Sequence, residues 1–300
     1  MSAGELVRAA SLKPGQLEGA QEPHLYYPAE GFGALYRRTM LNDFFTRLIG
    51  RTSIRTVAEV PLDSYGIAGA GSLIFAQLGR RVTLVSDEES VLDRARALMS
   101  FNGVSGIDYL STPLSSIDAA TDAFDLTWSF DRVQALCYPL TVLHEVCRIS
   151  KAAMVIVPNA HNYGQHAHYL YHRLAGTTCD FVGPRRWMRR APIRDALCRG
   201  GMTIVDEGII DAPWWPGFPE LPNIIRSLLG RPPVTLKGAG VAESSPKVVA
   251  PADLPALRRK VERSAFIERG RLWPGIVKLL FAHNVYVIGC KPQHRCELGL

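Results

Sequence analysis

Residues 56–87 constrain the fold of this chain more than any other stretch. Thr56-Val-Ala-Glu59 is a β-branched run, glycines follow at 66, 69 and 71, Leu73 to Gly79 is apolar and helical in character, and Arg81 to Asp87 is a second β-branched run closing on an acid. A strand, a glycine loop, a helix and a second strand make one βαβ unit. In an open parallel sheet a small molecule lies at the carboxyl ends of the strands, where the loop backbone must come close to it and glycine permits the approach. The first half of the chain is therefore expected to hold a nucleotide-like cofactor.

The alternation continues past this unit. Glu89 to Phe101 reads as a helix, Ile107 to Leu110 as a short strand, Ala123 to Ser129 as a strand, Leu140 to Ile149 as a helix, and Ala153 to Val157 as a strand stopped by Pro158. Ile193 to Arg199 then reads as a helix, Met202 to Ile210 as a strand and Asn284 to Gly289 as a final one. Strands and helices at this spacing predict a doubly wound α/β sheet with right-handed crossovers. Residues 1–24 have no periodicity and read as a flexible arm, whereas apolar positions from Phe32 to Ile49 recur with helical spacing. Between the last two strands a proline-rich stretch, about 213–270, reads as an insertion, with helices expected over Leu254 to Ile267 and Leu272 to Leu280. The expected division is an arm, one domain over 25–292 and a tail over 293–300.

Composition narrows the class of partner. The net charge of +6 is carried by Arg far more than Lys and gathers at 185–199 and 258–271, with no aromatic-interleaved or finger-like motif beside it. Solvated helix faces explain these patches, and no nucleic-acid partner is expected. Cys137, Cys147, Cys179, Cys198, Cys290 and Cys296 include no CxxC pair, and no apolar leader opens the chain, which predicts a cytoplasmic, reduced protein. Cys290 and Cys296 lie near His294 without the usual zinc spacing, so no metal is expected. No run reaches the ~20 apolar residues that a membrane span needs. Oligomeric state is not readable from the sequence.

Taken in order, these pieces resemble a class I S-adenosylmethionine-dependent methyltransferase (type 11-like) over roughly residues 32–291. The resemblance is carried by Val57-Ala-Glu-Val60 with its glycine loop, Val82-Thr-Leu-Val85, Ala123-Phe-Asp-Leu126, Leu143-His-Glu-Val-Cys-Arg148, Met154-Val-Ile-Val-Pro-Asn159 and the closing Ala282 to Pro292. It implies a seven-stranded Rossmann-like sheet with the last strand antiparallel, the cofactor over the first two strands and an acceptor above the fourth and fifth. On this basis Glu59, Pro61, Gly66, Gly69, Gly71, Ser86, Asp87 and Ser129 are the expected cofactor residues. The chain departs from the pattern at two points. Ser86 stands where the family ends its second strand with a ribose-binding acid, Asp87 coming one residue later, and Leu110-Ser-Thr-Pro113 replaces the acid near adenine.

Methyl transfer needs chiefly an in-line approach, and a base only when the acceptor must lose a proton. His161 and His166, in a segment holding four of the eight histidines, are the candidate bases; as the bland alternative, His161, His168 and His172 share one helix face as ordinary polar residues. Tyr27, Asp131, Tyr163 and Trp214 are the candidate acceptor contacts, with core packing as the alternative for the aromatics and helix capping for Asp131. The expected function is methyl transfer from S-adenosylmethionine to a small or medium-sized acceptor. The alternatives are a non-catalytic methyltransferase-like binding or scaffold protein and a dinucleotide oxidoreductase, the latter disfavoured because the glycines run GxxGxG rather than GxGxxG.

Overall fold

A computed structural model describes residues 26–27, 32–62, 68–175, 183–215, 247–248, 254–270 and 272–300. Seven strands form one sheet: β1 (Thr56–Glu59), β2 (Arg81–Ser86), β3 (Ile107–Ser111), β4 (Phe124–Phe130), β5 (Ser150–Pro158), β6 (Thr203–Ile210) and β7 (Asn284–Cys290). Their order is β3-β2-β1-β4-β5-β7-β6. β7 runs antiparallel to both of its neighbours, and all other pairs are parallel. Every residue of β7 is buried, because it is sandwiched between two strands and covered on both faces.

Alternation along each strand sorts side chains onto two cores. Val57, Leu84, Leu126 and Trp128 face a core closed by α1 (Phe32–Arg51), α2 (Leu73–Gln77) and α3 (Glu89–Phe101). Ala58, Val60, Val85 and Val155 face the opposite core, closed by α4 (Pro139–Ile149) and α6 (Arg190–Arg199). Helix α4 opens with proline at its first turn, where the missing N–H costs nothing. Gly200, just after α6, abuts Cys147 of α4, with an added Cβ falling 2.4 Å from Sγ. Helix α5 (Tyr163–Ala175) follows β5.

The expected single helix over Leu254 to Ile267 is two: α7 (Leu254–Ser264) and α8 (Phe266–Arg269), divided at the buried Ala265. The break turns Glu268 toward the sheet edge, where it accepts hydrogen bonds from the backbone of Asp211 and Ala212. Helix α9 (Gly275–Phe281) leads into β7. The last residues form α10 (Arg295–Leu298), with Leu298 buried and its carbonyl accepting Ser53 N–H. Tyr26–Tyr27 pairs antiparallel with Lys247–Val248, joining the N-terminal segment to the stretch before α7.

Candidate functional site

Chain order reverses across the sheet between β1 and β4, which makes their carboxyl ends the topological switch point. The bend after β1 is built from below. The buried Glu59 carboxylate accepts the Ser72 hydroxyl at 2.7 Å, and Trp128 Nε1 donates to the same Ser72 oxygen at 3.1 Å. Trp128 lies in an aromatic stack with Phe45 and Phe75. Gly71 is glycine because of this tryptophan, since an added Cβ would stand 2.3 Å from its ring. Gly69 has φ +78° and its Cβ direction is walled by Leu84, Met99 and Ala95. The underside of the bend is thus filled by the protein's own side chains, which fixes the bend from beneath. Pro61 is buried, and the chain beyond it crosses to β2, where Leu62 N–H donates to the Val85 carbonyl. Gly66 lies outside the described residues.

Ser86 and Thr112, at the ends of β2 and β3, both have hydroxyls engaged by neighbouring backbone. Ser86 is buried, and its Oγ accepts Glu88 N–H at 3.1 Å, whereas Asp87 is exposed. Thr112 donates its hydroxyl to the Ser116 carbonyl and accepts Asp118 N–H.

Ser129, at the end of β4, is 2% exposed, and its hydroxyl has no hydrogen-bond partner among the described residues. Ser129 Oγ is one of eleven buried side-chain atoms without a partner among the described residues, and it is set apart by its position at the switch point. Two further buried orphans, Asp211 Oδ1 and Asn284 Oδ1, lie along the same edge of the sheet.

These belong to a polar network that the sequence reading did not find. Asp211, with φ +61° just past β6, accepts Arg37 Nε at 3.0 Å and His283 Nδ1 at 3.2 Å on one oxygen. The other nitrogen of His283 faces the Trp215 carbonyl at 3.1 Å. Both ring nitrogens of His283 therefore lie within hydrogen-bond distance of protein oxygens. Arg37 also packs over the Phe130 ring, and Asn284 Nδ2 donates to Asp131 Oδ1 at 2.6 Å. Glu268 accepts the Tyr36 hydroxyl at 3.0 Å. Burial alone would raise the Asp211 carboxyl, but His283 and Arg37 outweigh it and hold it below the usual range. Burial dominates at Glu268 and raises it. Burial beside Glu268 also drives the Tyr36 hydroxyl far up.

Tyr163 donates its hydroxyl to the Trp214 carbonyl at 3.0 Å, and Trp214 meets Trp215 edge to face, so these aromatics stand together above the network. Tyr27 is placed only by its backbone pairing with Lys247. His161 is exposed and lines a separate cleft of about 250 Å³ with Asn159, Arg190 and Arg194. His166 is exposed, and both its ring nitrogens lie within 3.1 Å of the Arg185 guanidinium; desolvation and that cation lower its affinity for a proton. A second cleft, about 380 Å³, lies between α1 and strands β6 and β7 and includes Glu268 in its wall. Among the described residues no cluster of His, Cys, Asp and Glu has a metal-binding arrangement.

No protein-family model and no curated protein matches the chain. Among solved structures it is similar to magnesium protoporphyrin IX methyltransferase from Synechocystis PCC 6803 with bound SAH, at 13% identity and TM-score 0.47, over 69% of this chain and 87% of that one. It is similar to a SAM-dependent methyltransferase from Aquifex aeolicus at 14% identity and TM-score 0.44, over 60% and 91%. A SAM-dependent methyltransferase from Thermotoga maritima is similar at 12% identity and TM-score 0.47, over 86% and 91%. The fold class itself follows from strand order and direction: a seven-stranded sheet in the order β3-β2-β1-β4-β5-β7-β6 with β7 antiparallel is the class I methyltransferase fold.

Proposed function

We propose that the chain binds S-adenosylmethionine at the switch point and transfers its methyl group to a small or medium-sized acceptor over β4, β5 and the Trp214–Trp215 turn. The observation that carries this reading is the buried Ser129 hydroxyl, without a hydrogen-bond partner among the described residues, at the switch point where ligands collect in open α/β sheets. The bend beside it, held by Glu59, Ser72 and Trp128, is a rigid support of the kind a charged ligand needs. Once bound, the cofactor contributes an electrophilic methyl on a positively charged sulfur.

The residues contribute position. Glu59 fixes the start of α2, Ser129 offers a hydroxyl beside the bend, and Asp87, exposed one residue past β2, is the carboxylate available to ribose hydroxyls. On the acceptor side Asp131 is fixed by Asn284, while Tyr163, Trp214 and Trp215 provide aromatic area. His283 is held between Asp211 and the Trp215 carbonyl and serves to position this edge; His161 lines a separate cleft and His166 lies against Arg185. Isothermal titration with S-adenosylmethionine tests the reading. Saturable binding that weakens about tenfold in Ser129→Ala, the loss of one hydrogen bond, supports it. No heat and no thermal shift at millimolar ligand removes it.

A second reading, a binding or scaffold protein on a methyltransferase fold, is favoured by Ser86 and Thr112, hydroxyls bonded to neighbouring backbone in the segments where the resembled family keeps acids. It predicts a folded protein that takes up neither S-adenosylmethionine nor S-adenosylhomocysteine, so the same titration separates the two.

A further inference from the structure

Helix α9 reads Gly-Ile-Val-Lys-Leu-Leu-Phe, yet none of its residues is buried. Leu272 is 97% exposed, Ile276 69%, Phe266 47%, Leu280 43% and Trp273 41%. These residues come from one continuous stretch of chain. Gly270 lets it fold back on itself: an added Cβ there would stand 2.4 Å from the Phe266 carbonyl and 2.6 Å from the Trp273 ring, and Phe266 and Trp273 meet with ring centroids 6.2 Å apart. Single exposed apolar residues are ordinary, but five along one turn and helix form a patch that calls for a partner.

Charge accompanies the patch. Residues 254–281 hold seven Lys and Arg against two Glu, so most of the chain's net charge of +6 resides in this segment. Arg259 and Arg263 are exposed on α7, next to it in sequence, whereas Arg269 on α8 is paired with Asp43 at 2.6 Å. Among the described residues no helix is long and apolar enough to cross a membrane.

We infer that α8, the Leu272–Trp273 turn and α9 form a docking surface for an anionic lipid bilayer, with Leu272, Trp273, Ile276 and Leu280 entering the interface and the arginines meeting lipid headgroups. A bilayer surface takes up both halves of this pattern, apolar insertion and cation pairing, and tryptophan favours that boundary. A nucleic acid would satisfy the arginines but leave the exposed leucine and isoleucine in water. A two-fold dimer through the patch would set two strongly positive segments face to face. The inference stands apart from methyl transfer and does not depend on it.

Co-sedimentation of the full chain with vesicles of phosphatidylcholine, with and without phosphatidylglycerol, tests it. The expected result is binding that needs the anionic lipid, weakens with added salt and falls at least fivefold in Ile276→Glu and in Leu280→Glu. Circular dichroism and melting temperature should stay at wild-type values, because both positions are exposed. Arg259→Glu with Arg263→Glu should lower binding to the anionic vesicles, and a blue shift of tryptophan emission on binding should shrink in Trp273→Phe. Absence of sedimentation with anionic vesicles overturns the inference, as does undiminished binding by folded Ile276→Glu. So does a dimer in sedimentation velocity that Ile276→Glu dissolves, or capture of a single-stranded RNA that displaces vesicles and is indifferent to Ile276→Glu.

Discussion

Trp128 is the residue on which the proposed cofactor site turns. It fills the space beneath Gly71 and donates to Ser72, which in turn donates to Glu59, so one side chain couples β4, β1 and the start of α2. Trp128→Phe should cost about 1–3 kcal/mol, from a lost buried hydrogen bond and a partly collapsed cavity, and should weaken cofactor binding more than that of a remote variant of equal stability. Gly71→Ala drives a methyl group into the indole and should cost about 1–3 kcal/mol by overpacking. Chemical denaturation with titration on the folded fraction checks both. That the bend carries a glycine at 71 was legible in the sequence, but the reason was not: the spacing suggested a close approach to cofactor, and the structure shows a close approach to Trp128. The partner of a glycine sits elsewhere in the chain, and no local pattern names it.

At the scale of elements, the carboxyl edge is held by α1, β6, α8 and the entry to β7 through Arg37, Asp211, Glu268 and His283. Asp211 is depressed in the folded state, so the unfolded chain binds its proton more tightly. Its contribution to stability is therefore present above the ordinary carboxylate range near pH 4 and is lost as pH falls through that range and below it. Glu268 acts in the opposite sense. Its raised affinity for a proton favours the folded state at low pH and costs stability as pH rises above the unfolded value, so it offsets part of the Asp211 slope. Asp211→Asn should flatten the acid side of the curve of melting temperature against pH and destabilise by roughly 3 kcal/mol at neutral pH, because Arg37 and His283 lose their shared carboxylate. An unchanged acid limb would remove Asp211 from this role. Every strand and most helices of the sheet were legible in the sequence, since each is a short apolar or periodic run between turn residues. This network as a whole was not, because its members lie far apart along the chain, near residues 36, 131, 211, 268 and 283; Asp131 was singled out and His283 lies in the closing segment, but nothing local joins them to Arg37, Asp211 or Glu268. A histidine immediately before the last strand was a further available signal.

At the scale of the whole molecule, the cysteines among the described residues divide into exposed and buried thiols. Cys147 is buried against α6, and desolvation pushes its thiol up to about 12; Cys290 is buried and raised for the same reason. Cys137, Cys198 and Cys296 are exposed, so brief alkylation of the native protein followed by peptide mass analysis should label these three and spare Cys147 and Cys290 until denaturant is added. Prompt labelling of Cys147 in the native state would mean that the packing of α4 against α6 is looser than described. The larger question is whether a methyltransferase sheet with serine and threonine at two acid positions still takes the cofactor. Isothermal titration of the full chain with S-adenosylhomocysteine answers it most directly. One saturable site at micromolar ligand is expected, lost or weakened about tenfold in Ser129→Ala and Trp128→Phe while both variants remain folded. A folded wild-type protein that gives no heat and no thermal shift with millimolar ligand contradicts it.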